Sequence, residues 1–399
     1  MRMRPKLGCR AAAVAGIAGL LGVSTACSVR QAVDVVTAGD PVTAARRVVT
    51  GRLQSYARDP EILIKDAKGV RDAFNQLVAV LRGEAGEVWG KDTKTPDRKV
   101  YVKYSQSYRS RAIIDFDSGT VRIETLDQGH PEQSLIEAVV VTLLTPDDPR
   151  AVDVYSAKPV ELGGDPYLNG LVVDEAGRSI RDRYDAERYA HWLWDNALQR
   201  SRLRTPRGDE TVFAVEFRLT AGHLHAQARR YAGLVEKNAA RFGVSSSLIY
   251  AVMEVESAFN PFAVSHVPAY GLMQLVPTSG GRDAYRHARG TDAIPGRDFL
   301  FEPANNIELG AAYLNLLDSR YLAAIIDPVA REYCVIAAYN GGAGNVFKTF
   351  DPDRQRAVEA INRLNAAQVY ERLRGGLKFE ETRRYLLKVV TARRDYIGQ

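Results

Sequence analysis

The chain has 399 residues, 46% hydrophobic and 26% charged, which excludes a wholly disordered protein and leaves each half long enough to bury its own core. The formal charge of +6 is concentrated at the front. Arg2, Arg4, Lys6 and Arg10 are basic, residues 1–26 carry no acid, and the remainder holds 50 basic against 48 acidic side chains. The basic balance therefore reads as a targeting signal, and no nucleic-acid partner is expected. Residues 11–26, AAAVAGIAGLLGVSTA, are apolar or small but too short for a spanning helix, which needs about 20 apolar residues. A basic start, a short apolar run and small residues before a cut describe a secretory signal over 1–26. No later stretch reaches about 18 apolar residues. Of the three cysteines, Cys9 lies in the signal and Cys27 follows it. Cys334 sits in an apolar helical run and reads as a buried small hydrophobe. No disulfide framework and no zinc CxxC is available, and no cofactor or metal is expected.

Residues 27–60 read as a tether. A helix is predicted over 61–82 from the spacing of Ile62, Leu63, Val70, Phe74, Leu77, Val78 and Leu81. Tyr101–Tyr104 reads as a strand. Ala112–Phe116 and Thr120–Leu126 form a hairpin around Asp117-Ser118-Gly119. Pro131 opens a helix to about Leu144, and Tyr184–Gln199 reads as another. Arg200, Arg202, Arg204 and Arg207 form a basic run, read as a solvated linker, with anionic wall polymers or lipid headgroups as its other partners. Phe213, Val215, Phe217 and Leu219 alternate with Glu216 and Arg218, the pattern of a half-buried strand. Residues 61–222 are thus an α+β domain. From 223 to 399 helical periodicity dominates, over 226–242, 245–257, 305–320, 329–339, 354–364 and 379–397. The fold class is α+β, with a mixed leading domain and an all-α-dominated second one.

The helix 245–257 carries Glu254 and Glu256, about 200° apart at 3.6 residues per turn. Glu256 lines up with Ile249, Val252 and Met253. Glu254 lines up with Ser247 and Tyr250, a face read as solvent. A carboxyl held among apolar groups is harder to ionise, which suits a proton donor near neutral pH. The alternative is a Glu that caps the helix end or pairs with an arginine. Downstream stand Asn260-Pro261, which ends the helix, Gly271-Leu272-Met273-Gln274, and Ala337-Ala338-Tyr339-Asn340-Gly341-Gly342. Three polar helix ends can form one wall of a cleft. His223 and His225 lack a third ligand and read as surface or loop. Gly341-Gly342-Ala343-Gly344 follows a helix instead of opening one, which disfavours a phosphate loop.

With these residues in view, the sequence resembles lytic transglycosylases of the soluble, goose-lysozyme-like type. Glu256-Ser257, Gly271-Leu272-Met273-Gln274 and Ala338-Tyr339-Asn340 match that family's motifs in order and spacing, and Glu380-Glu381-Thr382-Arg383-Arg384-Tyr385 matches a fourth. The leading half, through Val88-Trp89-Gly90, Tyr101-Val102-Lys103-Tyr104 and the stretch 114–125, is similar to the first domain of the membrane-bound lytic murein transglycosylase C family. Val23-Ser24-Thr25-Ala26-Cys27 resembles a lipoprotein box, with Ser24 where leucine is usual. An ordinary signal cut after Ala26 is the alternative.

The resemblance implies a lysozyme-like second domain and a lyase acting on peptidoglycan glycan strands. It implies Glu256 as the catalytic acid, Tyr339 as a hydroxyl reaching its carboxyl, and Ser265 as an orienting group. Gln274, Asn340, Met273 and Tyr385 become substrate-binding candidates, with Met273 also read as core and Ser257 as a residue that orders the helix end. Pro268 and Val276 depart from the family pattern. A lipidated Cys27 would anchor the chain to a membrane facing the periplasm, the outer membrane by expectation, leaving the leading domain free for cell-wall protein partners. A true hydrolase on the same fold needs a second acid, for which Asp283 and Asp292 remain open. A non-catalytic glycan-binding scaffold has no need of a buried Glu256.

Overall fold

The computed structural model describes residues 60–265 and 269–398. The signal, Cys27, the tether and Pro268 lie outside the described residues. Helix α1 spans Pro60–Trp89, seven residues past the predicted end, and a 3₁₀ turn at Gly90–Asp92 follows. Leu81, Ala85, Val88 and Trp89 continue its buried face in four-residue steps. The sheet comprises β1 (Val100–Ser105), β2 (Ser110–Asp115), β3 (Thr120–Thr125), β4 (Gln199–Thr205) and β5 (Gly208–Arg218). Every pairing is antiparallel, in the order β1-β2-β3-β5-β4. The β2–β3 hairpin turns where expected, with Gly119 at φ +71°. Helices α2 (Pro131–Leu143) and α3 (Arg183–Ala197) pack on one another, and α2 covers β2 and β3.

The basic run is not a linker. Arg200, Arg202 and Arg204 lie on β4, an edge strand paired with β5, and stay exposed there. Charged side chains on an edge strand discourage pairing with another chain. A strand so polar shows no alternation, which is why its periodicity was invisible.

Beyond β5 the chain is helical. It runs through α4 (His223–Arg230), α5 (Ala232–Phe242), α6 (Ser246–Ser257), α7 (Gly280–Arg289), α8 (Arg297–Phe301) and α9 (Pro303–Leu316). A π-helical turn at Leu317–Tyr321 leads to α10 (Pro328–Gly341), α11 (Ala343–Phe350), α12 (Arg354–Asn362), α13 (Ala366–Gly376) and α14 (Glu380–Ala392). The predicted helix 226–242 is two helices meeting at Tyr231. The glycine-rich run both closes α10 and opens α11, so it joins two helices. Cys334 is fully buried in α10. His223 and His225 are not loop residues. The His223 ring hydrogen-bonds to the Phe116 carbonyl at 2.8 Å, and His225 stacks on Tyr396.

Residues 55–399 form one unit. Phe262, in the helical half, packs edge-on against Tyr101 and Tyr167 at 5.1 and 5.5 Å. The Tyr167 hydroxyl donates to Gln227 Oε1 and lies 3.0 Å from the Phe259 carbonyl. These contacts join the two halves beside the end of α6.

Candidate active site

Helix α6 is buried on every side: Ser247, Ile249, Tyr250, Val252 and Met253 are all core residues. The face read as solvent is closed by the C-terminal segment, where the Tyr396 hydroxyl donates to Glu254 at 2.5 Å. Helix α6 stops because Ala258 and Phe259 take left-handed conformations, φ +49° and +59°. Ser257 orders that end through its hydroxyl, 2.9 Å from the Met253 carbonyl and 2.8 Å from that of Leu272.

Glu256 sits in the last turn, 4% exposed. It forms the floor of a cleft of about 760 Å³, lined also by Arg98, Ser265, Gln274, Tyr339 and Asn340 and by the start of α14. Burial pushes its carboxyl up to about 7, against the opposing pull of Arg98 and Tyr385 and with a smaller push from Glu381. Desolvation of the charged form outweighs the one cation facing it.

The motif Gly271–Gln274 is a tight turn fixed from below. Asn306, fully buried in α9, accepts from the Met273 N–H at 2.7 Å and donates to the Tyr270 and Leu300 carbonyls at 2.8 and 2.7 Å. Gln274 has φ +47°, and its Nε2 donates to the Ala263 and Gly271 carbonyls. Its Oε1 is buried without a hydrogen-bond partner, an acceptor at the wall of the cleft.

Tyr339 is in the cleft, but its hydroxyl donates to the Met273 carbonyl at 2.9 Å instead of to Glu256. It shapes the carboxyl's surroundings and holds the turn. The tyrosine nearest in effect to Glu256 is Tyr385 on α14, whose buried hydroxyl makes no well-formed hydrogen bond while acting electrostatically on the carboxyl. Tyr385 lines a second cavity, of about 440 Å³, separated from the cleft by Arg98, Glu380 and Glu381, which line both. Met273 does not reach the cleft: its side chain is fully buried and would be struck by a Cβ at Gly310. Its contribution is its carbonyl and N–H. Asn340 lines the cleft and accepts from the Thr382 hydroxyl at 2.8 Å. Ser265 and Val276 line it as well.

Neither Asp283 nor Asp292 lines the cleft. Asp283 accepts from Tyr321 and Arg286, and Asp292 from Arg282. The acids that share the cleft with Glu256 are Asp97, Glu380 and Glu381. Among the described residues no cluster of three His, Cys, Asp or Glu is placed to hold a metal, and no helix is long and apolar enough to cross a membrane.

Sequence reading missed Arg98. It lies in the loop before β1, and its Nη1 is 3.3 Å from Glu256 Oε2. Nothing local signals a contact that spans 158 positions. Asn306 had a weak signal, an amide one residue before Ile307 in the largely apolar helix α9, beside Asn305 and ahead of Asn315.

Residues 63–230 match the family model described as the N-terminal domain of membrane-bound lytic murein transglycosylase C, and residues 233–362 match the transglycosylase SLT domain. Curated proteins named membrane-bound lytic murein transglycosylase C are similar along most of the chain. The one from Klebsiella pneumoniae subsp. pneumoniae is 41% identical over 84% of this chain and 91% of its own. That from Cronobacter sakazakii is 40% identical over the same shares. That from Yersinia enterocolitica is 39% identical over 85% and 92%. Among solved structures, the lytic transglycosylase Slt of Pseudomonas aeruginosa is 30% identical with a TM-score of 0.32, covering 42% of this chain and 24% of that one. The 70 kDa soluble lytic transglycosylase of Escherichia coli is 24% identical with a TM-score of 0.33, covering 42% and 25%.

Proposed function

The chain belongs to the membrane-bound lytic murein transglycosylase C family, and from that premise we propose that Glu256 cleaves peptidoglycan between N-acetylmuramic acid and N-acetylglucosamine without consuming water. The enzyme is a peptidoglycan lytic transglycosylase. Glu256, protonated, gives its proton to the glycosidic oxygen as the bond from that oxygen to the muramoyl C1 breaks. The acetamido oxygen of the same sugar bonds to C1. Glu256, now a carboxylate, takes the proton of the muramoyl 6-hydroxyl. That oxygen attacks C1, the bond to the acetamido oxygen breaks, and a 1,6-anhydro ring remains. A nucleophile carried by the substrate itself benefits from a high effective molarity and needs no second enzyme carboxylate.

The observation that carries this reading is a buried carboxyl at the floor of a polar cleft, poised near pH 7. A residue that must donate and then accept a proton works best there. Gln274, Asn340 and Ser265 contact the sugar, Gln274 through its unpartnered Oε1. Tyr385 reaches the carboxyl when substrate excludes water. Tyr339 and Met273 act from beneath, by fixing the turn. Replacing Glu256 by Gln is expected to lower release of soluble muropeptides from peptidoglycan by about 10²–10⁴-fold. A variant within about threefold of the parent would contradict the assignment.

Membrane association follows from the family. The finer reading is a signal over 1–26, a lipidated Cys27 and a tether to 60, which place the enzyme at the periplasmic face of the outer membrane. More than one acyl chain on Cys27 would make the attachment stable. The leading α+β part would be 61–222 and the catalytic part 223–399, a division supported by the two family models, which meet at 230 and 233. The leading part is also where cell-wall protein partners would dock.

A further inference from the structure

The leading half reaches into the catalytic cleft with two neighbouring residues, Asp97 and Arg98, and Arg98 is the one that meets Glu256. Arg98 precedes β1, one of the two edge strands of the sheet. Its backbone is anchored independently of its guanidinium: the Arg98 carbonyl accepts from Asn260 Nδ2 at 3.1 Å, and its N–H donates to Asp97 Oδ1 at 2.7 Å. The neighbouring Lys99 is tied to Asp117 at 2.5 Å. Asn260 is fully buried directly after the left-handed pair Ala258-Phe259 that ends α6. The loop is thus built to hold position 98 over the end of that helix. From there the guanidinium lies 3.3 Å from Glu256 and 3.9 Å from Glu381, with a side chain 36% exposed.

We infer that Arg98, supplied by the leading half, is a positioning residue that holds Glu256 as a carboxylate through the base half of the reaction. This rests on the acid–base role of Glu256 proposed above. After the first proton transfer a negative charge is left in a buried site, where it is costly unless paired. The groups acting on Glu256 are Arg98 from the loop before β1, Tyr385 and Glu381 from α14, and Tyr339 from α10, while Asp97, Lys378 and Glu380 line the same cleft. Of the two cations in the cleft, Arg98 is the one paired with the Glu256 carboxyl. A neutral hydroxyl can bond to the carboxylate, but only the guanidinium balances its charge. The same pairing fixes the orientation of Oε2 and leaves the other oxygen for the sugar. Arg98 does not donate a proton and does not touch the reacting atoms. The leading half of the molecule is, on this account, a working part of the active site.

The test is the pH dependence of muropeptide release by the full chain, for the parent, Arg98→Ala, Arg98→Gln, Arg98→Lys and Glu256→Gln, with thermal melts of each. Losing the cation raises the pH at which Glu256 gives up its proton. The fall in kcat/KM on the alkaline side is then expected to move up by about one pH unit in Arg98→Ala and Arg98→Gln, an opposite charge at this range being worth about 1–3 units when unscreened. Arg98→Lys restores the parent profile in part, and kcat at pH 6 falls more than KM rises. Parent-like profiles in folded Arg98→Ala and Arg98→Gln overturn the inference, as does an equal loss in Arg98→Lys and Arg98→Gln that tracks lowered melting. Substantial activity in Glu256→Gln overturns the underlying reading and this inference together. An inactive Glu256→Gln beside unmoved Arg98 profiles overturns this inference alone.

Discussion

Glu256 concentrates the conflict between stability and activity in one side chain. Its carboxyl titrates near 7 instead of at the usual 4.5 because burial disfavours the charge. The protonated form is the one the fold prefers, so the cost is absent below about pH 4.5, grows as pH rises, and is complete above about 7. A shift of that size corresponds to about 3 kcal/mol at 1.36 per unit. Glu256→Gln is therefore expected to melt higher than the parent at pH 8 and equally at pH 4. Equal melting at both pH values would mean the carboxyl is not desolvated in solution. On the proposed role of Glu256, activity is expected to fall as pH passes 7 and the acid is lost. A second buried charge has no such functional use. Arg111, 1% exposed, lies 2.6 Å from Glu124, pairs with Asp92 and stands 3.6 Å over the Trp89 ring. Removing it leaves Glu124 with Arg122 and the partly exposed Asp92 with Lys94, but takes away hydrogen bonds to both and the packing on Trp89, so Arg111→Ala is expected to lose about 1–3 kcal/mol in denaturant unfolding without a shift in the pH optimum. A loss below about 1 kcal/mol would contradict that role.

At the scale of elements, the inward Glu256 was legible because a helix obeys one period. The four short motifs each contribute to the lining of one cleft, through Glu256, Gln274, Asn340 and Glu381. What could not be read was whatever depends on a neighbour far along the chain. Tyr339 turns its hydroxyl to the Met273 carbonyl while Tyr385 acts on Glu256, because the distance from a hydroxyl to Glu256 is set by the packing of α10 and α14, which no local pattern encodes. The strand β4 escaped because edge strands bury little and so need not alternate. Helices α7, α11 and α13 escaped because they are short, 10, 8 and 11 residues, too few turns for a period to stand out. The turn 271–274 depends on α9. Gly310 lies under Met273, and any Cβ there meets the Met273 side chain. Gly310→Ala is expected to push the Met273–Gln274 turn toward the cleft, costing about 1–3 kcal/mol of stability and raising KM for glycan strands. Thermal melting and steady-state kinetics would show both, and an unchanged KM would mean the turn does not contact substrate.

At the scale of the whole molecule, the two halves share one core around Tyr101, Tyr167 and Phe262, and share the cleft through Arg98. A chain beginning at 223 keeps every motif that matches the transglycosylase model yet loses that cation and uncovers Phe262. It is expected to melt below the parent and to release muropeptides more slowly even where it remains folded. Parent-like activity would reduce the leading half to a spacer.

The central claim is that one carboxyl serves both as acid and as base while the sugar closes on itself. Mass spectrometry of muropeptides released from purified peptidoglycan by residues 28–399, beside the Glu256→Gln variant, tests it most directly. Products one water lighter than hydrolysed muropeptides, absent with the variant, are the predicted result. Hydrated reducing ends would contradict it, and would direct attention to Asp97, Glu380 and Glu381 as the acid that activates water.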